Sequence, residues 1–147
     1  MSFVTAALKG VYACPLKKVR LCPGLVVLRQ RRSFERARRS GAYFRCALVL
    51  LQAYRGAEDV SSEAVSYGIT VSKKVGNAVS RNRVKRRLRA VLKSVLPQHA
   101  IPGTVYVVVA RKELVMCPWK DIMQKIQEGV FFTNKRLQEK ENEPTGC

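Results

Sequence analysis

One segment near the middle of the chain limits the possible folds more than any other. Between Val71 and Leu96 the sequence reads VSKKVGNAVSRNRVKRRLRAVLKSVL, with nine lysines and arginines and no carboxylate. Gly76 and Asn77 predict a turn followed by a helix, with Asn77 as the N-cap. Apolar residues at helical spacing predict that one side of this helix packs on a sheet. They are Val84, Leu88, Val91, Leu92 and Val95. The segment is therefore predicted to be a strand end, a turn and an anchored helix whose exposed surface is basic.

The positive charge of this segment has no local counterpart. Glu63 and Glu113 border a stretch, Ala64 to Lys112, that holds eleven basic residues and no acidic one. A solvated basic helix face usually interleaves acidic and basic residues, and this one does not. The whole chain has 28 lysines and arginines against 10 acidic residues and a net charge of +18, so we expect a polyanionic partner. Nucleic acid is the first candidate.

An anionic membrane surface is the second candidate partner for a basic chain. It would require spare apolar residues, whereas here they are needed for a core, and no run approaches the roughly 18 residues of a spanning helix. The N-terminus, MSFVTAALKGVYAC, lacks the basic start and the cleavage site of a secretory signal. We therefore expect a cytoplasmic protein that has no membrane partner.

The chain is predicted to consist of one domain and two extensions. Residues 1–26 lack sustained periodicity and are expected to be a poorly ordered N-terminal extension. Residues 134–147 are polar and are expected to be a C-terminal tail. Residues 27–133 suffice for one small domain with a single core.

Helices and strands alternate within this domain. RRSFERARRSG predicts a short helix capped by Ser33 and Gly41, and FRCALVLLQAY predicts a buried strand, although a helix is an alternative at this length. VSYGITVSKK alternates as a half-buried strand does, with Tyr67 on the apolar side and Gly68 opposite. LPQHAIPG predicts a break in the chain, and TVYVVVARK predicts a buried strand. PWKDIMQKIQEGVFF predicts a helix that begins at its proline. The apolar side of this last helix is interpreted as core; it comprises Trp119, Ile122, Met123, Ile126 and Val130.

The residues themselves do not predict catalysis by the protein. Phosphodiester hydrolysis with divalent ions needs clustered carboxylates, which the basic segment lacks. The five cysteines form no C-x-x-C pair, and the single histidine, His99, lies in a connection without a nearby base. Considered without any resemblance, the chain is predicted to be a small α/β domain that binds a polyanion and has no metal site of its own.

The stretch GITVSKKVGNAVSRNRVKRRLRAVL resembles the signature of the protein subunit of bacterial ribonuclease P, whose R-N-R motif is Arg81-Asn82-Arg83. S-K-K, G-N-A-V and R-N-R-x-K-R-R follow in the expected order and spacing, and Phe34, Gly41 and the VVVARK strand fit more weakly. The resemblance implies an α/β (α+β) two-layer sandwich in the order α-β-β-β-α-β-α, similar to a domain of a small-subunit ribosomal protein and of elongation factor G. It also implies a left-handed crossover between Val65 and Ala110, against the usual right-handed rule.

The resemblance further implies a ribonucleoprotein endonuclease that removes the 5′ leader from precursor tRNA. Its partners would be the ribonuclease P RNA and precursor tRNA, with no obligatory protein partner, and catalytic Mg²⁺ would be held mainly by the RNA. The residues that match the family's RNA-contacting element are Lys73, Lys74, Asn77, Arg81, Asn82, Arg83, Lys85, Arg86 and Arg89. The leader is expected to contact Phe34, Leu50 and Gln52 on the first helix and the sheet.

Two departures from the family pattern concern the leader. Arg38 replaces an aromatic residue expected one turn after Phe34, and Gln52 replaces a tyrosine often found in the first strand. Leader contacts are therefore expected to depend more on charge and less on stacking. A ribosomal or ribosome-assembly protein is the alternative function, because it would share the charge and the fold. A helix-turn-helix DNA reader fits less well, because the basic helix lies between two strands.

Overall fold

The computed structural model describes residues 25–55 and 64–142, which form a five-stranded sheet and three α-helices. In chain order the elements are β1 (Leu25–Val27), α1 (Arg31–Ser40), β2 (Ala42–Arg45), β3 (Val49–Arg55), β4 (Val65–Val71), α2 (Ala78–His99), β5 (Thr104–Ala110) and α3 (Trp119–Asn142). Two 3-10 turns, Lys73–Val75 and Lys112–Met116, precede α2 and α3. From α1 onward, this is the predicted order α-β-β-β-α-β-α.

The sheet has the strand order β1-β4-β5-β3-β2. β4 is parallel to both β1 and β5, whereas β3 is antiparallel to β5 and β2. Helix α2 makes the crossover between β4 and β5, and it packs beside α3 on one face of the sheet. Helix α1 packs on the other face, against β3 and β5, where Ala37 joins Tyr54, Val105 and Val107 in a smaller cluster.

The main core lies between the sheet and the helices α2 and α3. Tyr67 and Tyr106 project from the central strands and are fully buried. The predicted stripe of α2 is confirmed, since Val84, Leu88, Val91, Leu92 and Val95 are all buried in this core. Burial of this stripe fixes which side of α2 faces solvent.

The ends of the first helix and the first predicted strand differ from the sequence prediction. Helix α1 begins at Arg31 with Gln30 as its N-cap, so Ser33 is not the cap but a buried residue of the first turn. Gly41 is the C-cap, and its N–H donates to the carbonyl of Ala37. The single strand predicted over residues 44–54 is two antiparallel strands, β2 and β3, because the chain turns at residues 46–48.

Helices α2 and α3 are both longer than predicted. The break expected at LPQHAIPG comes later, because α2 continues through Pro97 to His99 and the buried Leu96 holds its last turn on the core. α3 continues past the expected tail boundary at residue 133 to Asn142. Thr133 lies at that boundary and is buried, and its hydroxyl donates to the carbonyl of Gly129 at 2.8 Å. That bond lets a polar residue occupy an apolar stripe that continues to the buried Leu137.

Two more expectations concern the ends of the domain and the apolar side of α3. Residues 25 and 26 belong to β1 rather than to a poorly ordered extension, because they pair with the otherwise open edge of β4. The rest of that extension, residues 1–24, lies outside the described residues. On α3, Ile122, Ile126 and Val130 are buried as predicted, but Trp119 is 41% exposed. Trp119 therefore lies outside the core.

Candidate RNA interface

A turn of unusual backbone geometry sets the start of α2. Gly76 has φ 152° and ψ −160°, a conformation that is accessible almost only to glycine. Asn77 follows as the N-cap, as predicted, and its Oδ1 accepts a hydrogen bond from the Ser80 N–H at 2.9 Å. Asn77 therefore has a structural task in addition to its expected RNA contact. Lys73 and Lys74 are exposed on the 3-10 turn just before it.

Asn82 and most of the charged residues in the first half of α2 form a surface that we call the basic face, together with the two lysines of the preceding turn. Its members are Lys73, Lys74, Arg81, Asn82, Arg83, Lys85, Arg86 and Arg89. Arg81 and Lys85 are half-buried and the others are exposed. Within residues 25–55 and 64–142, the ion pairs are Arg31–Glu35 and Lys125–Glu128, neither of which involves this face. The basic face is thus un-neutralised within the part of the chain that the structure describes.

Two arginines of α2 differ in environment from its fully exposed arginines. The Nε of Arg81 is buried and has no hydrogen-bond partner in the described part of the chain. Arg87 instead donates from Nη2 to the carbonyl of Cys117 at 2.7 Å, which ties α2 to the segment before α3. Arg81, a member of the basic face, therefore retains an unused N–H donor. Arg87 instead uses its guanidinium to join two segments of the protein.

The expected leader-binding residues come together on the opposite side of the sheet. In the register of the strands, Gly68, Val107, Gln52 and Tyr43 form one row across β4, β5, β3 and β2. The ring of Phe34 lies over this row, since a Cβ at position 68 would be 2.6 Å from its Cζ. We call this row, together with the next row and Phe34, the sheet face. The next row comprises Thr70, Val109, Leu50 and Arg45.

The three predicted leader residues on the sheet face are less exposed than most members of the basic face. Phe34 and Leu50 are half-buried, and Gln52 is only 8% exposed. Phe34 packs partly against the small cluster under α1 that includes Val107. The three predicted leader residues therefore share one surface, where Gln52 contributes mainly to the floor.

Tyr43 is a member of the sheet face that the sequence analysis missed. It lies directly opposite Gln52 on β2 and is 61% exposed. Its neighbour Phe44 points to the other side, where its ring centroid is 5.7 Å from that of Phe132 on α3. The alternation in AYFR could have indicated this exposed aromatic residue if β2 had been recognised as a separate strand.

A metal site would require the remaining titratable groups of the described ranges to form a cluster of ligands. No group of three His, Cys, Asp or Glu side chains there could hold a metal ion. Burial raises the pKa of the Cys117 thiol, with a smaller contribution from Asp121, and burial lowers the pKa of His99. No helix of residues 25–55 and 64–142 is long and apolar enough to span a membrane.

Comparisons with known proteins identify the family. The family model for ribonuclease P matches residues 23–133. The chain is 44% identical over 100 residues to the ribonuclease P protein component of Ruegeria pomeroyi, covering 66% of this chain and 76% of that protein. It is 43% identical over 79 residues to the ribonuclease P protein component of Paramagnetospirillum magneticum, covering 54% of this chain but only 59% of that relative's length.

A solved structure shows the same fold. The ribonuclease P protein of Staphylococcus aureus superposes with a TM-score of 0.56 at 23% identity, over 79% of this chain and 94% of that chain. The family match extends from just before β1 into α3, and it includes both the basic face and the sheet face. This chain therefore belongs to the ribonuclease P protein family.

Proposed function

We propose that this protein is the RNA-binding subunit of a ribonucleoprotein that cleaves the 5′ leader from precursor tRNA. The observation that carries the proposal is the basic face, where exposed arginines and lysines lack acidic partners in the described chain. Such a surface suits the phosphates of a structured RNA, whose binding would release counterions. The basic face would bind the catalytic RNA through Lys73, Lys74, Asn77, Arg81, Asn82, Arg83, Lys85, Arg86 and Arg89.

The sheet face would bind the single-stranded leader of the precursor. Phe34 offers a half-exposed ring for stacking on a base, and Leu50 and Gln52 line the floor beside it. Neighbouring strands lie about 4.8 Å apart, so the row from Gly68 to Tyr43 would offer a floor roughly 14 Å wide. This surface is on the opposite side of the sheet from α2, so leader and catalytic RNA would not compete for the same residues.

The chemistry would be supplied by Mg²⁺ ions held mainly by the RNA subunit. The described residues fit no divalent-ion site, because they contain no cluster of carboxylates. The protein would bind and orient the two RNAs in the cytoplasm, would be inactive alone and would need no other protein.

The test is cleavage of a precursor tRNA by the cognate catalytic RNA at low magnesium, with and without the protein. We expect the protein to increase cleavage, and the R86A/R89A variant to lose RNA affinity by about 1–3 kcal/mol for each charge-assisted contact removed. That loss should be the same for all leader lengths.

The matched control is K135A/K140A, which removes the same charge from exposed positions of α3 away from the basic face. It should leave affinity and cleavage near the wild-type level. If the wild-type protein bound structured RNA but never increased cleavage, the result would contradict the proposal and favour a ribosomal or ribosome-assembly role.

A further inference from the structure

A groove between α2 and the start of α3 is lined on one side by Arg83 and Arg86 of the basic face and on the other by residues that have no role in the function proposed so far. Its volume is about 800 Å³, and one wall is the flank of α2. The other wall is the 3-10 turn Lys112–Met116 and the residues that follow it. The lining residues are Arg83, Arg86, Arg87, Ala90, Val115, Met116, Cys117 and Trp119.

The second wall of the groove exposes large apolar side chains on a fixed backbone. Met116, at the end of the 3-10 turn, is 88% exposed, and Trp119, the first residue of α3, is 41% exposed. Leu114 of the same 3-10 turn is fully buried in the main core, and the Arg87 guanidinium donates to the Cys117 carbonyl at 2.7 Å. The exposed ring of Trp119 therefore lies at the start of α3, directly after a segment anchored at Leu114 and Cys117, as a pre-formed stacking surface would.

The rim of the groove carries the same arginines as the basic face. Arg83 and Arg86 are exposed and have no carboxylate partner in the described chain, and the raised pKa keeps the Cys117 thiol uncharged. Two acidic residues lie near the groove: Asp121, which contributes to that shift, in the first turn of α3, and Glu113 in the 3-10 turn of the second wall. Binding of a phosphate backbone would require only the arginine charges. A wall with an aromatic ring and a thioether opposite those arginines also suits a planar base.

We propose that this groove holds one unpaired nucleobase of the RNA that the basic face binds. The base would stack on Trp119 against Met116, and its flanking phosphates would contact Arg83 and Arg86. Bases of a paired helix are not available for such stacking, so the occupant would come from a loop, a bulge or a strand end. The inference rests on the proposed RNA-binding function and adds a base-binding subsite to it.

The test uses Trp119 as its own probe, because it is the only tryptophan of the chain. The full-length protein is titrated with the transcribed catalytic RNA, and separately with a fully paired RNA duplex, while tryptophan fluorescence and binding are followed together. Stacking should change the fluorescence at saturation with the catalytic RNA. The duplex should bind through phosphates without that change.

Substitutions separate stacking from charge. W119L should weaken binding of the catalytic RNA about 10-fold or more, as loss of one stacked base does, with an unchanged salt slope. W119F should retain most of the affinity. R86Q should weaken binding and also reduce the magnitude of the salt slope by about 0.9 for the one lost phosphate contact.

The matched control is F131L, because Phe131 is on the same helix and is 39% exposed. F131L should bind the catalytic RNA as the wild type does, and thermal unfolding should show that each variant is folded. Unchanged affinity of W119L, or an equal fluorescence change with the duplex, would overturn the base-binding subsite while leaving the RNA-binding function intact. Failure of the wild-type protein to bind the catalytic RNA would instead overturn both proposals.

Discussion

The basic face and the sheet face differ in how they are built. The basic face consists of long side chains such as Arg86 and Arg89 on the exposed side of an anchored helix. The sheet face consists of side chains from four strands, from the buried Gln52 to the exposed Tyr43, that only strand register brings together, and the ring of Phe34 lies against Gly68. A charged surface of this kind should tolerate small changes of shape and respond to salt. The sheet face should respond mainly to shape, and, with Arg45 as its exposed charged member, it should respond to salt less than the basic face does.

The largest expected effect comes from salt, which should separate the two regions. If the basic face neutralises about six phosphates, log K should fall with log[salt] with a slope of about −4 to −5, a several-hundred-fold loss between about 50 and 200 mM. The F34A variant should have the same slope as the wild type. Binding of the catalytic RNA would be measured across this range, and a slope near zero would contradict our interpretation of the basic face.

Replacing Phe34 with alanine should act on the leader alone. We expect a loss of about 1–3 kcal/mol with leaders of several nucleotides, as for one lost stacking contact, and none with a one-nucleotide leader. The measurement is cleavage of both substrates under conditions where substrate binding limits the rate. An equal loss on both substrates would mean that Phe34 is a core residue and that the leader does not follow the sheet face.

Replacing Gly68 with alanine should disturb the same surface by a smaller amount. The new Cβ would lie 2.6 Å from Phe34 Cζ, so the ring would have to shift. Because Phe34 is half-exposed and can move, we expect a cost of about 1 kcal/mol, at the low end for overpacking. Urea unfolding of G68A, F34A and the double variant forms a thermodynamic cycle. The G68A cost should vanish in the F34A background; if it persisted, the contact between these two positions would not be its cause.

The smallest expected effect is a pH dependence that involves neither surface. Burial lowers the pKa of His99 below its ordinary value of 6.5, so the unfolded chain binds the proton more tightly than the folded one. The stability linked to neutral His99 is present above the unfolded pKa and is lost as the pH falls toward the folded value. Urea unfolding at about pH 7.5 and 5.5 should show this loss in the wild type and a smaller one in H99Q. Equal losses in both proteins would exclude His99 as the source.

The parts of the site that the sequence predicted are those with local signals. The stripe from Val84 to Val95 and the Asn77 cap lie within one helix, and their spacing alone predicts which side of α2 is exposed. The arginines of the basic face follow from that orientation. By contrast, the spacing of apolar residues on α3 predicted that Trp119 packs in the core. In the structure Trp119 is partly exposed and lines the second wall of the groove.

The amino-acid sequence by itself determined the fold class, the anchored basic helix and the family, because periodicity, capping residues and a contiguous signature are local properties. Only the tertiary structure decided that Phe34 lies over Gly68 and that Tyr43 is opposite Gln52, since both depend on register between strands distant in the chain. It also decided that Arg87 binds the Cys117 carbonyl instead of remaining free for RNA. A side chain's partners are set by which elements meet in space, and one chain segment does not contain that information.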